Sequence, residues 1–180
     1  MKIYIALFRG INVGGNNPLP MKELVGILEE HGCQNVKTYI QSGNVVFKIE
    51  EKRIPGLSDR LRSEIQERRN FSPSILLLSL AEFETIVAGN PFPEVENDPQ
   101  ALHVGFLAAT PKRPDLERLE RLREKNERFH LINSAFYLHA PDGIGRSKLA
   151  ANTERLLGVS MTDRNWRTVS KILEMARELD

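Results

Sequence analysis

The chain has 180 residues, 41% hydrophobic and 27% charged, with a formal net charge of +1. That length makes one large domain or two small ones, with enough core to fold without disulfides or metal. A nearly neutral chain has no whole-protein field drawing it to nucleic acid or anionic membrane, so any such binding needs a local patch.

The lone cysteine, Cys33, excludes an intramolecular disulfide. His31, His103, His130 and His139 lack metal-ligand spacing, so neither a metal nor a cofactor is expected. The apolar start of the chain is too short for a signal-peptide core and alternates like a strand. No stretch approaches the ~18 apolar residues of a membrane span. The expectation is a soluble protein of the reducing cytoplasm with no membrane partner.

Residues 2–8 read as a strand, with Ile3, Ile5 and Leu7 on one face and Tyr4, Ala6 and Phe8 on the other. Arg9 to Asn17 form a loop rich in glycine and asparagine. Pro20 stands at a first helical position, and Met21, Leu24, Val25 and Leu28 follow at helical spacing up to Gly32. Val36–Ile40 and Val45–Ile49 read as strands joined by Gln41, Ser42, Gly43 and Asn44. Leu57, Leu61 and Ile65 recur every four residues on a second helix, and Ser74–Ser79 is a fourth strand. This β-α-β-β-α-β order is the ferredoxin-like arrangement.

Ser79 and Glu82 have capping-box spacing, which predicts a short helix to about Val87. Gly89 to Pro93 stop it. The order then repeats. Ala101–Ala108 reads as a strand, and Leu116, Leu119 and Leu122 lie on a helix. Arg128–Ile132 and Ala135–His139 are paired strands, and Leu149, Thr153, Leu156 and Leu157 line a helix ended by Gly158. A short strand near Val159–Met161 completes the unit. A final helix carries Trp166, Val169, Leu173 and Ala176 on one stripe. The predicted class is α+β: two tandem ferredoxin-like (α-β plait) halves with antiparallel sheets plus a C-terminal helix. The expected boundaries are 1–80, a linker over 81–99, and 100–180. Each sheet has helices on one face only, so the other face needs cover. In the first half, Tyr4 and Phe8 are expected on that second face.

Two strings stand out, Arg9-Gly10-Ile11-Asn12-Val13-Gly14-Gly15 and Tyr39-Ile40-Gln41-Ser42-Gly43-Asn44-Val45-Val46-Phe47. With Asn90-Pro91-Phe92, Gly145-Arg146-Ser147-Lys148 and Thr162 to Val169, they resemble the bacterial domain-of-unknown-function family 1697. The resemblance implies a tandem ferredoxin-like fold and offers no established catalytic residues to carry over. Arg167 departs from it, since asparagine is more usual there.

The loop after the first strand is the strongest local signal. Gly14 and Gly15 allow close backbone approach, Asn12 favours turns, and Arg9 adds a planar donor fork. Such a loop before a helix presents N–H groups to a phosphate, or simply makes turns. Gln41, Ser42 and Asn44 either read a ligand or bond their own backbone in a hairpin. Gly145, Arg146, Ser147 and Lys148 open a helix with two cations against its dipole, which an anionic ligand or Asp142 would offset. Arg164 and Asn165 belong to a basic segment, 146–171, read as a phosphate footprint or a solvated helix face. The mixed-charge helix within 112–128 reads as an exposed, salt-bridged surface.

No nucleophile elbow, kinase set or zinc triad is present. Three readings therefore stand. One is a module binding a small phosphorylated ligand, a nucleotide or nucleic acid. Another is an enzyme acting on a small phosphorylated or carboxylated substrate. The third is an interaction protein forming a homodimer through an exposed sheet.

Overall fold

The computed structural model describes residues 1–180. The chain runs β1 (Lys2–Arg9), α1 (Met21–Glu30), β2 (Gln34–Tyr39), β3 (Asn44–Ile49), α2 (Leu57–Arg69), β4 (Ser74–Ser79) and α3 (Leu80–Ala88). It continues with β5 (Leu102–Leu107), α4 (Leu116–Leu122), β6 (Arg128–Ile132), β7 (Ala135–His139), α5 (Lys148–Leu157), β8 (Met161–Asn165) and α6 (Trp166–Arg177). The two four-stranded sheets have the orders β2-β3-β1-β4 and β6-β7-β5-β8. Every pairing is antiparallel. These are two ferredoxin-like arrangements of the same topology, followed by the C-terminal helix.

The chain divides into two compact units, Met1–Thr85 with Lys171–Asp180, and Ile86–Ser170. The last ten residues, expected with the second half, group with the first. Ile172, Met175, Ala176 and Leu179 of this segment are buried, and two exposed ion pairs join it to the first unit: Lys37 to Glu178 at 3.1 Å and Arg177 to Glu84 at 2.8 Å.

In the first unit, α1 and α2 cover one face of the sheet. Leu24, Ile27 and Leu28 of α1 and Leu57, Leu61 and Ile65 of α2 pack with Tyr4, Ala6, Phe8, Val45, Phe47 and Ile49. Each fully buried aliphatic side chain contributes roughly 1.5–3 kcal/mol. Tyr4 and Phe8 thus lie under the helices, the reverse of the expected face. Alternation divides a strand into two faces but does not say which one receives the helices. Ile3, Ile5 and Leu7 occupy the opposite face and are buried as well. Arg69 forks onto both carboxylate oxygens of Glu23, and Arg68 bridges Glu30 and Glu64. These bonds tie α2 to α1.

In the second unit, Leu107, Phe136 and Leu138 face Leu119 of α4 and Leu149, Leu156 and Leu157 of α5. The other face carries Leu102, Val104, Phe106 and Tyr137, all buried. Part of the segment before β5 covers that face. The Tyr137 hydroxyl donates to the Ile86 carbonyl at 2.7 Å, and burial pushes the phenol up to about 12. Phe92 packs at a tilt against His130 and His139, with the Arg128 guanidinium 4.8 Å from the centre of its ring.

The capping box forms as expected. Ser79 N–H and Oγ–H both donate to Glu82, and Glu82 N–H returns to Ser79 Oγ. The last strand is displaced: it spans Met161–Asn165 rather than a segment near Val159–Met161. Its composition, Met-Thr-Asp-Arg-Asn, carries almost no strand signal. Pairing with β5 imposes it, from Leu107 against Met161 to His103 against Asn165.

Candidate functional site

The two most distinctive strings of the sequence meet at one end of the first sheet. Asn12 donates its side-chain amide to the carbonyls of Leu19 at 2.9 Å and Gln41 at 2.8 Å. Leu19 N–H donates to Asn12 Oδ1 at 2.8 Å. Phe8 N–H donates to the Gly43 carbonyl at 2.8 Å. A Cβ at Gly43 would lie 2.5 Å from Phe8 Cβ and 2.7 Å from Ile11 Cδ1, so only glycine fits.

Gly14 and Gly15 do not cradle the start of α1. They form the tip of a small hairpin closed by the Val13–Asn16 bridge, both with positive φ, 57° and 80°. Asn17 clamps its base by donating to the Gly10 carbonyl at 2.7 Å. In the adjoining turn, Asn44 Nδ2 donates to Tyr39 O and Ser42 Oγ, each at 3.0 Å. The amides of Asn12 and Asn44 therefore serve the loops themselves. Gln41 is exposed, as is Arg9, which pairs in register with Ser74. Beside them Ile40 holds φ 50°, a left-handed conformation costly for a β-branched residue, and is 52% exposed.

The second group builds a different site. An open cleft of about 900 Å³ is lined by Glu124, Lys125, Asn126, Glu127 and the 142–147 segment, including Gly145, Arg146 and Ser147. Ser147 is the N-cap of α5: its Oγ accepts from Ala150 N–H at 3.0 Å. Arg146 lies in the preceding 3-10 turn, and Lys148 is the first helical residue. The acidic wall is internally engaged. Asn126 donates to Asp142 at 2.7 Å, and Glu124 N–H donates to the buried Glu127 carboxylate at 2.9 Å. No ion pair involves Arg146 or Lys125.

Arg164 and Asn165 do not line this cleft. Both belong to β8, and Asn165 Oδ1 accepts from Thr168 N–H at 3.0 Å, capping α6. Arg164 is largely buried rather than on a solvated helix face. Burial draws its guanidinium down to about 10, with Asp163 opposing. Thr162, Asp163, Arg164 and Asn165 read as part of the basic segment 146–171, and not as a strand, because β8 lacks a strand pattern.

One pair carried no sequence signal. His103 and Asp163, 60 residues apart, meet at 2.7 Å through Nδ1, while Nε2 faces the Gln100 carbonyl at 3.0 Å. Burial lowers the imidazole, but the Asp163 carboxylate and the Gln100 carbonyl outweigh it, so the His103 pKa is raised. The acidic wall formed by Glu124 and Glu127 was also missed, because glutamates on a charged segment look solvated.

No group of three or more His, Cys, Asp or Glu side chains is placed to hold a metal ion. No helix is long and apolar enough to cross a membrane.

Residues 1–137 match the model of the family described as protein of unknown function, DUF1697. Among solved structures, the conserved bacterial protein SP0830 of Streptococcus pneumoniae is similar, with 29% identity and a TM-score of 0.66. That match covers 97% of this chain and 98% of the other. No curated protein matches. The chain belongs to the DUF1697 family.

Proposed function

We propose that this DUF1697 protein binds a small phosphorylated ligand in the cleft of its second unit. The observation that carries this reading is the juxtaposition of unpaired Arg146 and Lys125 with Ser147, the N-cap of α5, on one cleft. The first-turn N–H groups of a helix lack intrahelical acceptors, and its dipole favours an anion there. Arg146 supplies a planar fork suited to phosphate. Lys148, adjoining the cleft on α5, adds positive charge.

The rest of the lining favours a small ligand over nucleic acid. Glu124, Glu127 and Asp142 face Lys125 and Arg146, so the cleft has no net positive charge to follow a polyanion. Carboxylates accept hydrogen bonds from hydroxyl groups, which suits a phosphosugar or nucleotide.

A thermal-shift titration with AMP, ribose 5-phosphate and inorganic phosphate tests the reading. At ~100 times its Kd, a true ligand adds ~2.7 kcal/mol, roughly 5–10 °C for a chain of this size. Arg146→Ala and Lys125→Ala should remove the shift without lowering the melting point of the free protein. A shift that survives both substitutions, or the absence of any shift, refutes the reading.

A further inference from the structure

Each four-stranded sheet ends in two edge strands, and an edge strand leaves a row of N–H and C=O groups unpaired. Three of the four edges carry features that oppose pairing with another chain. β2 has Lys37 and a register shift between Gln34 and Lys37. β6 carries Arg128, and β8 carries Asp163 and Arg164. The fourth edge, β4, has none of these: Ser74-Ile75-Leu76-Leu77-Leu78-Ser79 contains no charge, proline or bulge.

The backbone of β4 hydrogen-bonds to β1 alone, except that Ser79 N–H is taken by Glu82 at 2.8 Å. Ile75, Leu76, Leu77 and Leu78 are each partly exposed, whereas the β1 residues opposite them, Phe8, Leu7, Ala6 and Ile5, are fully buried. Ile75 and Leu77 lie on the helix side and Leu76 and Leu78 on the other, so both faces of the edge offer aliphatic surface. The two ends of the strand carry opposite charge. Arg62 Nε donates to Ser72 Oγ at 3.3 Å, just before the strand, and Glu82 is held by Ser79, its last residue. Both charged side chains are exposed, and Arg62 also reaches Asp59 at 3.6 Å.

We infer that β4 docks against the β4 of a second copy of this chain, antiparallel about a two-fold axis, so that two sheets become one. The strand itself selects this occupant. Antiparallel pairing sets residues of the same face opposite one another, so the fullest overlap puts the axis at Leu76 or Leu77. At either position, three successive cross-strand pairs are wholly aliphatic. The same symmetry lays the Arg62 end of one copy beside the Glu82 end of the other, and does so twice. A strand edge of six residues is small for an interface, so a Kd on the order of 10–100 µM is expected. The inference concerns the first unit and is independent of the phosphate site of the second.

Sedimentation velocity of the full chain from about 1 µM to about 1 mM tests it, and should show monomer giving way to dimer. Hydrogen exchange at the two extremes localises the contact. The amides of residues 75–78 should gain protection with concentration, and those of β2, β6 and β8 should not. Arg62→Glu and Glu82→Lys, each at an exposed position, should each weaken the dimer about tenfold by setting like charges together at both ends. An equimolar mixture of the two variants should recover the parental affinity, because their heterodimer has opposite charges at both ends. A monomer at every concentration, a dimer whose β4 amides gain no protection, or a mixture that associates no better than either variant alone would overturn the inference.

Discussion

Asn12 and Gln41, 29 residues apart, are joined by a 2.8 Å hydrogen bond from the Asn12 amide to the Gln41 carbonyl. The same amide group holds Leu19 through two further bonds. Asn12 sits at φ 53°, a conformation asparagine tolerates far better than alanine. One side chain thus fastens the loop after β1 to the turn between β2 and β3.

Asn12→Ala should lose these three bonds and strain the backbone, costing about 2–4 kcal/mol. Urea denaturation measures the loss. Asn12→Gly relieves the strain and should recover about 1 kcal/mol of it. Equal stability of Asn12→Ala and the parent would show that the staple contributes nothing.

Glycine substitutions should separate packing from loop freedom. Gly43→Ala forces a Cβ into Phe8 and Ile11 at φ 74° and should cost about 2 kcal/mol or more. Gly145→Ala meets nothing within 4 Å and has no positive φ, so its stability change should stay within about 0.5 kcal/mol. The comparison is a pair of thermal or chemical melts.

His103 and His139 should titrate in opposite directions. The His103 pKa is raised above 6.5, so its contribution to stability is fully present below pH 6.5 and is lost as pH rises through the folded value. The His139 pKa is lowered, by burial first and then by the Arg128 charge. Its neutral form is favoured in the fold, so it weakens the fold as pH falls below 6.5. NMR titration of the imidazole carbons should place His103 above and His139 below 6.5. In Asp163→Asn, His103 should titrate lower than in the parent, and an unmoved value would remove Asp163 as the cause.

Much of this architecture was legible in the residues. Leu57, Leu61 and Ile65 mark α2 because every fourth residue of a helix returns to one face. The Ser79–Glu82 spacing marked the start of α3, because a capping box is local chemistry. The strand β8 was misplaced, since only pairing with β5 makes Thr162, Asp163, Arg164 and Asn165 extended. Among the candidate residues, the Arg146 segment was visible as a glycine-bearing loop before a helix. The wall opposite it, Glu124 and Glu127, comes from a distant stretch of chain and left no trace in the spacing.

By itself, then, the sequence determined what neighbouring residues settle between themselves: the periods of helices and strands, their caps and turns, and hence the β-α-β-β-α-β order twice over. Tertiary structure decided which face of β1 meets the helices, where β8 lies, and which polar groups are already partnered. Asn12 and Asn44 looked like ligand amides but hold their own loops. The physical reason is that a hydrogen bond is satisfied in three dimensions, by groups whose separation along the chain carries no information about their distance in space.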